Sequence, residues 1–279
     1  MIAPIVSLGA ETILFESELD WRSGKITTIA TVPLGKIDTP LVAARSAATD
    51  VIRSALPEHI SRFLSSVPLD SSVMIGDLIR NSPYVRREID EFASGAEPSA
   101  SYTDSKLTQL TLRFEHPLYP DLAKTLVLHS KAVEHEPTLG FSATTQYTGL
   151  VIFAKGVYPV HGEPDRESAL LPAILPRIYD ESMRVLLESD MVDPRIAVEA
   201  GILGYADSID LLRFRDRIGE FPLITMARRV FGANRTDLVI PMDIAERLLA
   251  SETNRRLLES GRVLIICDNP TLTYASHVD

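Results

Sequence analysis

The densest run of metal-ligating residue types in this sequence is His129, Glu134, His135, Glu136, His161, Glu163 and Asp165. A catalytic zinc takes about three protein ligands on rigid elements, commonly a histidine pair at helical spacing with a further carboxylate or histidine. His129 and His135 are six positions apart, which puts them on different faces of a helix, and Pro137 opposes a helix there. The cluster therefore reads chiefly as a solvated polar linker, with His129, His135, His161 and Glu163 as the metal candidates it offers.

Other residue types invite chemistry singly. Asp268 follows the apolar run Val263 to Cys267, and a carboxylate at the end of a buried strand is a common active-site position in α/β folds; it is equally an ordinary strand exit into Asn269-Pro270. Cys267, the lone cysteine, becomes a nucleophile only beside a base or a helix N-terminus, and inside Ile265-Ile266-Cys267 it reads as a small core residue. Arg213, Arg215 and Arg217, with the pair Arg228-Arg229, could hold an anionic glycan or phosphate. Arg213 and Arg217 share a helix face at a spacing of four, with Asp210 and Asp216 at hand to neutralise them. Arg177 is a ligand candidate or a guanidinium bonded to loop carbonyls. Trp21 sits in a hairpin turn, where it either covers the first domain's core or meets a partner, tryptophan being enriched at binding hot spots. No G-x-x-x-x-G-K-[ST], G-x-G-x-x-G or G-x-S-x-G occurs. No cofactor is implied, and no catalytic residue is assigned.

The elements that position these residues follow from pattern. Residues 11–19 and 25–33 are β-rich and joined by a polar turn ending in Gly24. Thr39-Pro40 gives a helix start, with an apolar stripe at Leu41, Ala44, Ala48, Val51, Ile52 and Ala55 and a kink or restart at Pro57. Ser82-Pro83 starts a second helix carrying Val85, Ile89 and Phe92 and capped by Gly95. Leu110, Leu112 and Phe114 alternate as a strand, and Tyr119-Pro120 opens a short helix with Leu122 and Leu126.

A patternless stretch from His129 to Gln146 marks a domain boundary, with domains at 1–140 and 141–279. Beyond it, Leu150 to Phe153 reads as a strand buried on both faces. Residues 173–187 are strand-rich and turn at Asp180-Glu181-Ser182. A helix is expected from about Ala206 to Ile218, a strand from Leu223 to Phe231 and another over Leu238 to Ile240. Pro241 starts a further helix, Arg255 to Ser260 gives a last helical turn, and Val263 to Ile266 forms a strand. The fold class expected is α+β, two domains, each a mixed or antiparallel sheet packed against a few helices, the second of α/β type.

The 279 residues carry a formal charge of −10. Divided at Gln146, each half carries −5, so the acidity is diffuse and no basic stripe exists for nucleic acid or anionic lipid. No apolar stretch reaches the ~18–20 residues of a membrane span. Met1 to Ala10 is apolar without a basic flank, and reads as a first strand or as the tail of an export signal.

Tyr147-Thr148-Gly149-Leu150-Val151-Ile152, Ala173-Ile174-Leu175-Pro176-Arg177-Ile178-Tyr179-Asp180-Glu181, Val192-Asp193-Pro194, Gly201-Ile202-Leu203-Gly204-Tyr205-Ala206, Asn234-Arg235-Thr236-Asp237-Leu238-Val239-Ile240 and Gly261-Arg262-Val263 resemble one family. It is a group of uncharacterised bacterial envelope proteins related to the lipoprotein-20 and flagellar assembly protein T group. The tryptophan hairpin and alanine-rich helix of the first half are similar in the same direction. The resemblance implies a protein of the periplasm or the inner face of the outer membrane, associated with flagellar accessory structures or envelope assembly, without a known catalytic role. It departs at Phe153, where an acidic residue is expected, and at the insertion around His161–Ser168. The single Cys267 leaves no lipid attachment site near the N-terminus, and a cytoplasmic address is the alternative. The expected function is a non-enzymatic structural or assembly component acting through protein partners or self-association, any membrane contact being indirect. The second reading is a soluble metal- or carboxylate-dependent hydrolase with its site near the domain junction.

Overall fold

A computed structural model describes residues 12–34, 40–138, 140 and 145–278. The reading of Met1 to Ala10 and the helix-start role of Thr39 lie outside the described residues. The first half runs β1 (Ile13–Asp20), β2 (Lys25–Pro33), α1 (Leu41–Ser65), α2 (Ile75–Asn81), α3 (Pro83–Ser94), β3 (Pro98–Thr103), β4 (Gln109–Pro117) and α4 (Ala123–Leu126). The second half runs β5 (Leu150–Ala154), β6 (Tyr158–Pro159), β7 (Glu167–Ser168), β8 (Ile178–Asp180), β9 (Val185–Leu187), α5 (Pro194–Ala200), β10 (Gly204–Ala206), α6 (Arg215–Ile218), β11 (Leu223–Met226), β12 (Arg229–Phe231), β13 (Asp237–Ile240), α7 (Met242–Leu249), α8 (Glu252–Glu259), β14 (Val263–Cys267) and β15 (Thr271–Val278). The protein is α+β with two domains; residues 127–138 between them form neither helix nor strand.

Period-two patterning builds the first sheet. Ile13, Phe15 and Leu19 on β1, Ile26, Ala30 and Val32 on β2, and Leu110, Leu112 and Phe114 on β4 all point to one buried face. Against it pack Ile52, Leu56, Ile60 and Phe63 of α1 and Val85 and Ile89 of α3. Pro57 does not restart the helix: α1 runs on through it to Ser65, and the buried stripe runs further along than the pattern predicts, with Leu41 and Val51 partly exposed. Ser82 caps α3 as expected, its hydroxyl accepting from the Val85 amide at 3.3 Å.

The first sheet is antiparallel in the order β15-β1-β2-β4-β3, so its edge strand comes from the last segment of the chain. The expected division at 140/141 omits this. Thr271–Val278 leaves the second domain and pairs along the whole of β1, from Ile13 opposite Val278 to Asp20 opposite Thr271. Nothing in its half-buried alternation ties the strand to one domain, and the pairing supplies its hydrogen bonds.

The second domain holds a fully parallel sheet, β10-β14-β5-β11, and a mixed sheet, β12-β13-β8-β9. The long strand expected from Leu223 to Phe231 is two strands in different sheets, broken at Ala227-Arg228, where the Arg228 amide bonds to Val239 O at 2.8 Å. The helix expected from Ala206 is β10, then a 3-10 turn over Leu211–Phe214 and the single turn α6. The Asp180 turn is as expected: its buried carboxylate accepts from the Ser182 and Arg184 amides, each at 2.9 Å, and from Arg184 Nε at 2.9 Å.

A polar network lies inside the first domain. His59 of α1 is fully buried, with Nε2 2.8 Å from Ser17 Oγ on β1 and Nδ1 2.7 Å from Ser276 Oγ on β15. Ser17 continues to Thr28 Oγ1 on β2 at 2.7 Å. Burial pushes the imidazole down to about 4, and Arg62 and His116 add to the effect. The unfolded chain therefore binds the proton first as pH falls, so the stability contribution is complete above about 6.5 and is lost as pH drops towards about 4. At 1.36 kcal/mol per pKa unit this is about 3 kcal/mol. Urea midpoints measured between pH 7 and 4.5 should fall steadily. His59→Gln should lower the midpoint at pH 7 by about 1–3 kcal/mol equivalent and flatten the acid dependence.

Candidate interaction surface

The structure separates the residues that the sequence offered for metal chemistry. His129 donates from Nε2 to Val192 O at 2.8 Å, and His135 from Nε2 to Leu186 O at 2.9 Å; burial lowers the His135 imidazole. His161 packs edge-on against Phe231, with ring centroids 5.7 Å apart. Glu163 pairs with Arg166 and Arg235, each at 2.8 Å. Among the described residues no group of three or more His, Cys, Asp or Glu is placed to hold a metal ion. The linker histidines act as staples between the linker and the second domain.

The remaining candidates are engaged structurally. Cys267 is fully buried on the inner face of the parallel sheet, and desolvation pushes its thiol up to about 12. Asp268 accepts from the Gly156 amide at 2.5 Å, tying together the exits of β14 and β5. Arg177 pairs through Nε with Glu188 at 3.0 Å, so its partner is a carboxylate and not the expected loop carbonyls. Arg217 donates to Gly261 O at 2.8 Å and to Ala200 O, a clamp on two loops, and burial lowers its guanidinium. Arg213 is exposed on the 3-10 turn, so the shared helix face expected for the two arginines is not formed.

Trp21 is 6% exposed, and its ring meets Tyr205 of β10 edge-on at 5.7 Å. Its amide donates to Pro270 O at 2.9 Å, and its neighbour Arg22 pairs with Asp207 at 2.6 Å. The hairpin tip thus docks on the second domain. The expected partner contact at Trp21 is corrected to an internal one, because its apolar surface is already covered. Among carboxylates at the junction, Asp207 pairs with Arg22, Asp70 accepts from the Ser72 and Val73 amides, and Asp237 accepts from the Arg177 amide at Oδ1, while its Oδ2 is buried without a hydrogen-bond partner and burial raises its carboxyl.

What the fold leaves exposed is the β11 edge of the parallel sheet. Parallel sheets are ordinarily covered on both faces. The inner face carries Leu150, Ile152, Val263 and Ile265 into the main core. The outer face carries Val151, Leu264 and Ile266, each fully buried, with Ile218, Leu211 and Phe214 from the 3-10 turn and α6 packed against them. Register places Ile224 beside Val151 and Met226 beside Phe153, on this outer face at its edge. Ile224 is 50% exposed and Met226 64%. Ile209, Leu212 and Phe221, exposed at 70%, 81% and 70%, line an adjoining groove of about 580 Å³ with Pro222. Exposed apolar side chains of this kind are where a fold can meet a partner.

Sequence reasoning missed this surface because it read 206–218 as a long helix able to cover the sheet. The available signal was Gly219-Glu220-Phe221-Pro222, which forces an apolar ring into a loop. It also missed the Ser17–His59 pair. That pair has the distance of a nucleophile and its base, and it lies inside the first domain, Ser17 only 3% exposed and His59 not at all.

Residues 12–125 match the family model described as Treponema pallidum Tp0624, N-terminal domain, and residues 149–269 match that described as Treponema pallidum Tp0624, second domain. The two halves of the chain are thus similar to two domains of that protein, in the same order, and the matches flank the irregular segment between them. Neither description names a lipoprotein-20 or flagellar protein. No curated protein matches the chain. Among the described residues no helix is long and apolar enough to cross a membrane.

The burial of Cys267 sets a direct measurement. In native protein at pH 8 a thiol reagent should label less than about a tenth of Cys267 within an hour, with full labelling in denaturant, since only an accessible thiolate reacts. Stoichiometric native labelling contradicts a closed strand.

Proposed function

We propose that this chain is a non-enzymatic structural or assembly component of the bacterial cell envelope, working by protein–protein contact. The observation that carries the contact reading is the set of exposed apolar side chains at the β11 edge, Ile224 and Met226 on the strand and Ile209, Leu212 and Phe221 in the groove that ends at Pro222 just before it. An assembly role asks for an apolar surface with a polar rim, and for no convergent reactive groups. His129, His135, Glu163, Arg177 and Arg217 are engaged with loops and in ion pairs, which favours this reading over a hydrolase at the domain junction. The periplasmic address and the flagellar association rest on the resemblance of the sequence to envelope proteins of the lipoprotein-20 and flagellar assembly protein T group.

Osmotic-shock fractionation of cells making the full-length protein should recover it with periplasmic or envelope markers, and recovery with cytoplasmic markers alone overturns the address. Leu212→Asp and Phe221→Asp should each reduce cross-linked complexes of the protein in cells several-fold. Exposed substitutions of this kind cost within about 0.5 kcal/mol of stability, so melting should hardly move. Unchanged cross-linking in both folded variants removes the contact reading.

A further inference from the structure

We propose that the carboxyl of Asp237 is a proton-operated latch on the domain junction: it takes up a proton more readily with the two domains docked than apart, so that mild acid tightens the junction.

Asp237 opens β13 and is fully buried. Its Oδ1 accepts from the Arg177 amide at 3.0 Å and from Thr236 Oγ1 at 3.1 Å, whereas its Oδ2 has no hydrogen-bond partner. The first-domain group beside this carboxyl is the Ser71 hydroxyl, on the loop after α1. Ser71 is itself buried, and its carbonyl accepts from the Asn234 amide at 2.9 Å. Docking the domains therefore strips water from Oδ2 and gives it no donor in exchange. That loss penalises a carboxylate far more than a neutral acid.

The surrounding charges do not offset it. Arg177 favours the charged form, but its Nε is committed to Glu188 at 3.0 Å. The phenols of Tyr179 and Tyr205 face the same cluster, and the charge of Asp237 adds to the burial that raises both. Asp70, on the loop of Ser71, is turned into that loop and accepts from the Ser72 and Val73 amides, each at 2.8 Å. Arg235 is drawn off by Glu163 at 2.8 Å. Burial accordingly holds the Asp237 carboxyl above its ordinary value.

The sign follows from linkage. Below about 3.9 both the docked and the open state hold the proton and the contribution is complete; it is lost as pH rises through the raised docked value. His59 acts in the opposite sense over an overlapping window, its contribution falling with acid. A local readout at the seam separates the two.

Carboxyl-detected NMR of the full chain, assigned through the backbone, should give Asp237 a titration midpoint at least one unit above about 3.9. Amide exchange at Ile174, Leu175 and Asn234, corrected for the intrinsic effect of pH and referenced to β5, should be several-fold slower at pH 5 than at pH 7.5. Asp237→Asn carries no charge at either pH. It should abolish that difference and steepen the acid fall of the urea midpoint set by His59. A wild-type midpoint at or below about 4 overturns the proposal. Seam exchange that keeps pace with β5 overturns it as well, and so does a folded Asp237→Asn protein that retains the wild-type difference. If that variant does not fold, the wild-type titration and exchange decide by themselves.

Discussion

Main-chain hydrogen bonds across the domain junction fix the frame on which everything else hangs. The loop after α1 offers Pro68 O to the Ile174 amide at 3.2 Å and Leu69 O to the Leu175 amide at 2.7 Å, and Ser71 O accepts from the Asn234 amide at 2.9 Å. Leu69 and Ser71 are buried, so these groups have no water to turn to and each lost bond leaves an unpaired buried dipole. Gly232 lies so close that a Cβ there would stand 2.2 Å from that of Ser71. Tyr119 is seated in the same way between Gly24 and Gly201, where added Cβ atoms would fall 2.9 and 2.7 Å from its ring. Backbone contacts of this kind admit little sliding. They explain why Trp21, on an exposed-looking hairpin, is pressed onto Tyr205, and why one hydrophobic core runs through both domains.

That frame decides which surfaces remain. With the first domain and the helices of the second on the inner face of the parallel sheet, only the short segment Leu211–Ile218 is left for the outer face. A single turn covers three strands and stops short of β11. The exposed apolar cluster is thus a consequence of topology more than of an unusual composition.

Where one physical signal dominated, the sequence was readable. β-rich runs about a polar glycine turn gave β1 and β2, alternation gave β4, Ser82-Pro83 gave α3, and the continuous apolar run gave β5. Short elements were not readable, because they bury little by themselves. α2 and α5, of seven residues each, passed unnoticed, although Asp193-Pro194 is a start signal of the same kind as Ser82-Pro83. β15 was invisible because an edge strand draws its stability from a partner far away in sequence. The contact surface was illegible for a related reason: exposure of Ile224 or Met226 depends on what fails to cover them. Arginines at helical spacing suggested an anion site, but Arg217 was recruited to hold carbonyls once the helix proved to be one turn long.

The pairing of β15 with β1 also determines how the molecule bears load. Ile13 stands directly opposite Val278, at the same end of two antiparallel neighbours. Tension applied between these two points acts across the ladder and not along it, so the bonds break singly and in sequence from that end, as in a zip. Such a geometry yields at low force, and the early steps free only the two outermost strands, while the seam of main-chain bonds at Pro68–Ser71 stays shielded from the pull. Tension between these two points would then open the first sheet before the domain junction is strained.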